Sequence, residues 1–406
     1  MRYFSNGKNS AFRIKICLPE KKSTAQAGHS AQKEEIALIG ILTFHWADNH
    51  GAMLQTYALK HYLEKRGEQV RVIPYAPYWL TCTYWLCPFK AELEDHVPRY
   101  QLLRESVRWN LRVAGRFERR RLRMRAFRRR YLTSEAPIRK TEDLSFLPFK
   151  SVVIGSDQVW NPKITLGLAD AYTGNIPQRG NCRLISYAAS FGEDVLPEAD
   201  REEFIRRVGG FHAVSVREEA GAAFARQLLG REVCHALDPT LLLDRTEWEK
   251  IGKVPPEKDY VLLYMMPCRE HLLRWAQAFA ARLGKKLIAL ANPGSTHRLR
   301  NFEPASGVGP AEFIGYVQNA YCVLTSSFHG TVFSILYEKP FLTYCQDVLG
   351  NRQRNLLERL GLLSHLWELD KDTDPAEVWK NTDWEQVRSR LSSERERSER
   401  FLAENI

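Results

Sequence analysis

Long apolar runs are missing from this chain: no stretch approaches the roughly 18 consecutive apolar residues that a membrane-spanning helix needs. The opening residues, MRYFSNGKNSAFRIKICLPEKK, also lack the uninterrupted apolar core of a secretory signal, which argues for a cytosolic protein. Zinc-type cysteine pairs are absent too. The eight cysteines, Cys17, Cys82, Cys87, Cys182, Cys234, Cys268, Cys322 and Cys345, are scattered, as expected of buried thiols in a reducing compartment. No metal cluster and no nucleic-acid motif stands out, so neither a metal, another cofactor nor a nucleic-acid partner is expected. Acidic residues almost vanish between 99 and 130, where thirteen arginines face only Glu105 and Glu118. That excess of +11 equals the formal net charge of the whole chain.

What the sequence has is 406 residues with 44% hydrophobic content, enough for two domains with ordinary cores. Residues 1–35 are polar and irregular and read as a loose tail. Strand-like and helix-like stretches then alternate, the mark of an α/β fold with parallel sheets. The run at 36–42, IALIGIL, reads as a fully buried strand, with a helix at 52–66 and a second strand at 70–73. Further strands are expected at 151–155, 185–189, 213–216, 260–264 and 286–291. The expected division is a first Rossmann-like domain at 36–244, a second at 245–365 and a helical extension at 366–406.

Residues 321–341, YCVLTSSFHGTVFSILYEKPF, join a strand to an apolar helix, expected at 332–337, through a tight turn. Such a turn leaves backbone N–H groups free at the carboxyl end of the strand. Ser326, Ser327 and Thr331 add hydroxyls, His329 an imidazole, and Gly330 room for close backbone approach. The site suits an anion, although His329 could equally be a satisfied core histidine.

Other strand-to-helix turns face the same way. Between residues 43 and 51 lie His45, Asp48, Asn49 and His50, which could bind acceptor hydroxyls or simply cap a helix. After 151–155 come Ser156, Asp157, Gln158, Trp160 and Asn161. There Asp157 could orient a sugar hydroxyl and the amides could hold the ring, or the segment could be an Asx turn with a core tryptophan. Arg217 follows the strand at 213–216, and its fork suits a carboxylate or phosphate, or an ion pair with Glu218 or Glu219. The aromatic, proline-rich stretch 75–88 reads as a lid or a packing loop. The arginine run, in an insertion at about 95–135, reads as amphipathic helices with an arginine-covered outer face. It would suit the anionic inner membrane surface, a lipid-diphosphate carrier or an acidic polysaccharide, or be merely solvated.

Several blocks together resemble the polysaccharide pyruvyl transferase family: GILTFHWADNHGAMLQTYAL at 40–59, GSDQVWNP at 155–162, ISYAASFG at 185–192, VSVREEAG at 214–221, DPTLLL at 238–243, and SSFHG with EKPF at 326–341. The resemblance implies two Rossmann-like domains facing across a cleft, as in glycosyltransferases of the B type. It also implies transfer of the enolpyruvyl group of phosphoenolpyruvate to two hydroxyls of a sugar, forming a pyruvate ketal and releasing phosphate. The acceptor would be a surface polysaccharide or its lipid-linked precursor, met in the cytoplasm or at the inner membrane face. On this reading His329 is the general acid, Asp157 the group that deprotonates or orients the sugar, and Arg217 a donor ligand. Ser327 departs from better-known members, which carry an arginine there. Lys339, Arg352 or Arg354 would have to substitute, or the donor differs. A nucleotide-sugar glycosyltransferase and a non-catalytic glycan- or membrane-binding protein are the competing readings.

Overall fold

The computed structural model describes residues 38–406 apart from 83–117, 194, 266–269, 291–302, 306, 346–350, 369–370 and 372. The expected tail at 1–35, the second part of the aromatic loop from residue 83, the insertion before residue 118 and a turn expected at 292–295 lie outside the described residues. Residues Ala37–Ile406 form one compact unit.

Apolar β-branched runs make two all-parallel sheets. The first is built from β1 (Leu38–Leu42), β2 (Gln69–Val72), β3 (Ser151–Ile154), β4 (Arg183–Ala189), β5 (Ala213–Val216) and β6 (Cys234–His235), in the order β2-β1-β3-β4-β5-β6. The second contains β7 (Val261–Tyr264), β8 (Leu287–Leu290), β9 (Glu303–Pro304), β10 (Cys322–Thr325) and β11 (Phe341–Thr343), in the order β11-β10-β7-β8-β9. Short β6 and β9 were not legible as strands: each has only two residues and carries no apolar run. Central strands are covered on both faces, with Ile41, Leu42, Val153 and Ile154 fully buried. Each such side chain contributes roughly 1.5–3 kcal/mol. The fold is therefore α/β with two Rossmann-like halves.

Strand order fixes where a ligand can lie. In the first sheet the order reverses between β1 and β3, and in the second between β7 and β10. Ligands of open parallel sheets gather outside the carboxyl ends of strands at such reversals. The turns after β1 and β3 and the turn after β10 thus occupy the two favoured positions.

Two helix starts differ from expectation. Asn49 accepts from the Gly51 and Ala52 N–H groups, so the first helix runs His50–Lys65, and Gly67 with φ +90° follows its end. After β10 the helix begins at Phe328, not at 332, and spans Phe328–Leu336. All nine of its residues are buried, as an apolar helix must be.

The arginine run is turned differently from the amphipathic pattern expected. In the helix at 118–127 and the π-helical turn Arg128–Leu132, the inward face is Arg120, Met124, Phe127 and Arg128, whereas Leu122 is 52% exposed. Arg120 donates to the Asp48 carbonyl at 2.8 Å. Arg128 donates to the His45 carbonyl at 3.1 Å and to the Asp48 carboxylate at 3.3 Å, with its guanidinium 4.2 Å from the Trp46 ring centre. Two arginines of the supposed outer face therefore brace the turn after β1.

The helix Trp384–Asn405 returns to the first sheet. Ser398 accepts from the Leu237 N–H at 2.9 Å, Arg395 donates to the Leu241 carbonyl at 2.8 Å, and Phe401 packs on Tyr187. Among the described residues no helix is long and apolar enough to cross a membrane.

Candidate active site

Side chains from both sheets meet where the strand orders reverse. His50, at the start of the first helix, reaches across to the second sheet: its Nδ1 lies 3.2 Å from the Tyr264 hydroxyl and its Nε2 3.0 Å from the Val308 carbonyl. Burial, reinforced by Arg120, pushes the His50 imidazole down to about 3, so it is neutral. His45 is likewise buried, with its pKa lowered to about 3 by desolvation and Arg128, and its Nδ1 faces the Thr43 carbonyl at 3.1 Å. Neither histidine is open to an acceptor. They hold the junction.

His329 sits in the first turn of the Phe328–Leu336 helix, 8% exposed. Ser327 occupies the cap position but makes no side-chain capping bond. The first intrahelical bond is Thr331 N–H to the Ser327 carbonyl at 3.0 Å, so the N–H groups of Phe328, His329 and Gly330 precede it. These donors and the helix dipole favour an anion. The His329 ring fits against Gly51 of the opposite half, and its Nε2 is buried, without a hydrogen-bond partner, 3.6 Å from the Asp238 carboxylate.

Two residues of this turn serve the fold instead. A Cβ at Gly330 would lie 2.2 Å from Thr325 Oγ1, so glycine here lets the helix close on β10. The Thr331 hydroxyl is fully buried between the Ser327 carbonyl and the Thr343 hydroxyl, at 3.2 and 2.9 Å, and faces no ligand space. Ser326 is held through its backbone: its carbonyl accepts from Gln353 at 3.0 Å.

Asp238 is the hub of the charged cluster. One carboxylate oxygen accepts from Arg217 Nη1 at 3.1 Å and from the Ser156 hydroxyl at 3.3 Å, and the other from Thr240 N and Oγ1 at 3.0 and 2.6 Å. Burial pushes this carboxyl up, but His329, Arg217 and Thr240 outweigh it and hold it well below the ordinary carboxylate range. Arg217 is 6% exposed, and its Nε donates to Glu218 at 3.0 Å. Burial alone would weaken its hold on the proton, yet Glu218, Asp238 and Asp157 keep it firmly charged. Two carboxylates thus occupy much of the fork expected to hold an anion. Its Nη2 is buried and unpartnered, as is Glu218 Oε2.

On the other wall, Asp157 follows β3 with φ +74° and is partly exposed, its carboxylate accepting from the Gln158 N–H at 2.9 Å. Its charge is felt by both Arg217 and Arg352. Ser156 is fully buried, donating to the Ala188 carbonyl and Asp238. Asn161 donates to Gln158 at 2.8 Å while capping the short helix Pro162–Thr165, and Asn49 caps its own helix. Trp160 is a core residue: it is fully buried among Phe191, Phe204 and Phe211 and donates to the Tyr172 carbonyl. Tyr75 is buried as well, whereas Tyr78 is 59% exposed.

Asp157, Ser156, Arg217 and His329 are therefore brought together, with Asn49, Gln158 and Asn161 occupied by local bonds. Sequence reading gave no role to Asp238 or Gly51. Both lie inside the family-like blocks, which was the available signal; the two-residue β6, ending three residues before Asp238, left none. Among the described residues no group of three His, Cys, Asp or Glu side chains is placed to hold a metal ion.

Weak likenesses to solved structures accompany this geometry. The UDP-GlcNAc 2-epimerase of Methanocaldococcus jannaschii is 14% identical, with 86% of this chain and 93% of that one covered at a TM-score of 0.45. Arabidopsis thaliana UGT89C1 is 12% identical, over 91% and 94% of the two chains, at 0.39. Spinosyn rhamnosyltransferase SpnG is 12% identical, over 88% and 95%, at 0.40. Scores this low bear on no question of activity. No curated protein matches the chain. The match to a family is of another kind, spanning residues 49–344 and with them Gly51, Asp157, Arg217, Asp238 and His329; the chain belongs to the polysaccharide pyruvyl transferase family.

Proposed function

We propose that the protein transfers the enolpyruvyl group of phosphoenolpyruvate to two hydroxyls of a sugar, forming a pyruvate ketal and releasing phosphate. The observation that carries this reading is the His329 imidazole, enclosed between the two halves with a free Nε2 beside Asp238 and close to the cationic Arg217.

Phosphoenolpyruvate brings a carboxylate and a phosphate. The first N–H groups of the Phe328–Leu336 helix, the Ser326 and Ser327 hydroxyls and Arg217 Nη2 suit those anionic groups. His329, as imidazolium, gives its proton to the methylene carbon while a sugar oxygen bonds to the central carbon. Asp157, at the mouth of the opposite wall, orients that hydroxyl and accepts its proton. A second hydroxyl of the same sugar then displaces phosphate, its proton passing to the now neutral His329 imidazole, and the ketal closes. Ser156, Gln158, Asn161 and Asn49 shape the acceptor wall through the bonds described above. Outward-facing Arg121, Arg125, Arg129 and Arg130 suit an anionic lipid carrier of that acceptor at the cytoplasmic membrane face.

The test is phosphate release from phosphoenolpyruvate with a panel of lipid-linked and nitrophenyl sugars. Release by the wild type but not by His329→Ala is the expected result. Turnover of a nucleotide sugar with no phosphoenolpyruvate consumed would overturn it.

A further inference from the structure

We infer that Arg352 is the second cationic ligand of the donor, supplying with Arg217 the clamp that Ser327 cannot. This rests on the transfer reading above and adds a ligand residue to it.

Arg352 is the second residue of the helix Asn351–Leu360. Its neighbour Gln353, 4% exposed, donates to the Ser326 carbonyl at 3.0 Å, so the start of this helix is latched to the turn that bears His329. Arg352, Arg217, Glu218, Asp238 and Phe328 line one cavity. Arg217 lies over the Phe328 ring at 4.6 Å, with Nη2 buried and unpartnered, and Arg352 Nε is buried and unpartnered in the same place. Desolvation and then repulsion by Arg217 both weaken the charged form of Arg352. Glu218, Asp157 and Asp238 favour its charge in turn, but none accepts from Arg352 Nε, and native proteins rarely leave a buried donor without a partner. An oxyanion between the two forks satisfies both unpartnered donors.

The other candidate cations are placed elsewhere. Lys339 donates to the Ala320 carbonyl at 3.0 Å, and Arg354 faces solvent. Two guanidiniums whose unpartnered donors share a pocket beside Phe328 suit an oxygen of a phosphate or carboxylate.

The experiment is calorimetric titration of the full chain with phosphoenolpyruvate, inorganic phosphate and UDP, for wild type, Arg352→Met, Arg352→Lys and Arg352→Met with Ser327→Arg. Expected is a loss of phosphoenolpyruvate affinity of roughly 10- to 100-fold in Arg352→Met, the scale of one charged hydrogen-bonding ligand. Arg352→Lys should fall between, and Ser327→Arg should recover about tenfold. A cooperative thermal melt in each variant separates a loss of affinity from a loss of fold. Phosphoenolpyruvate affinity within twofold of wild type in Arg352→Met overturns the inference. If wild type binds phosphate or UDP but no phosphoenolpyruvate, and Arg352→Met loses that binding, the donor reading fails while the role of Arg352 stands.

Discussion

A Cβ added at Gly51 would fall 1.9 Å from His329 Nδ1, so the bare backbone of the first helix forms the seat of the imidazole. The two residues belong to opposite halves and meet only because both helix starts lie at the strand-order reversals. In an ordinary helix, glycine to alanine stabilises by up to about 1 kcal/mol. Here contact with the ring decides the outcome. Gly51→Ala is expected to lower phosphoenolpyruvate-dependent turnover roughly 100-fold, the effect of displacing a reacting group by about 1 Å, while thermal melts stay close to wild type. Unchanged turnover would mean that the seat is not needed.

Stability should fall on the mild acid side because of buried neutral histidines. His50 is 1% exposed, stacked on Phe313 and near Arg120, and its pKa is lowered from 6.5 to about 3. Below pH 6.5 the unfolded chain takes a proton that the folded one refuses, so the stability is fully present above 6.5 and is lost progressively toward 3. Each such group steepens the decline by about 1.4 kcal/mol per pH unit. His50→Gln should be less stable than wild type at pH 7 yet lose stability less steeply between pH 6 and 4, by about one proton. Urea melts across that range measure it, and equal slopes would assign the decline to other groups.

Apart from the two-residue β6 and β9, the parallel strands were readable from their short runs rich in apolar residues, and the α/β class follows from their alternation with helices. Side-chain roles were less visible, for reasons specific to each residue. Arg128 belongs to a run whose charge suggests an outer face, but the contacts of one arginine with His45, Asp48 and Trp46 depend on a distant segment. Thr331 and Gly330 sit in a turn that looks ligand-facing, and only the docking of the helix on β10 turns them inward. Trp160 is a polar-turn aromatic in sequence and a core residue in space. Asp238 went without a role because the strand before it has two residues and leaves no periodic trace.

Asp238 couples the structural and chemical parts of the site. It accepts from Arg217 and Ser156 and lies 3.6 Å from His329, so its charge both fixes a buried arginine and faces the proposed acid. Asp238→Asn keeps the size and removes the charge. Breaking a buried pair in this way costs up to about 3–5 kcal/mol, with Glu218 still holding Arg217 Nε and softening the loss. The folded carboxyl is held below its ordinary range, so its contribution is complete above about pH 4 and disappears only as the pH falls through the lower folded value. The stability gap between wild type and Asp238→Asn should therefore be flat from pH 7 to 5 and narrow below pH 4. In the same variant, kcat for phosphoenolpyruvate turnover should fall by roughly 100-fold or more, since the acid loses the group that faces its free nitrogen. A gap that closes between pH 7 and 5, or an unchanged kcat, would remove Asp238 from this role and leave it a purely structural partner of Arg217.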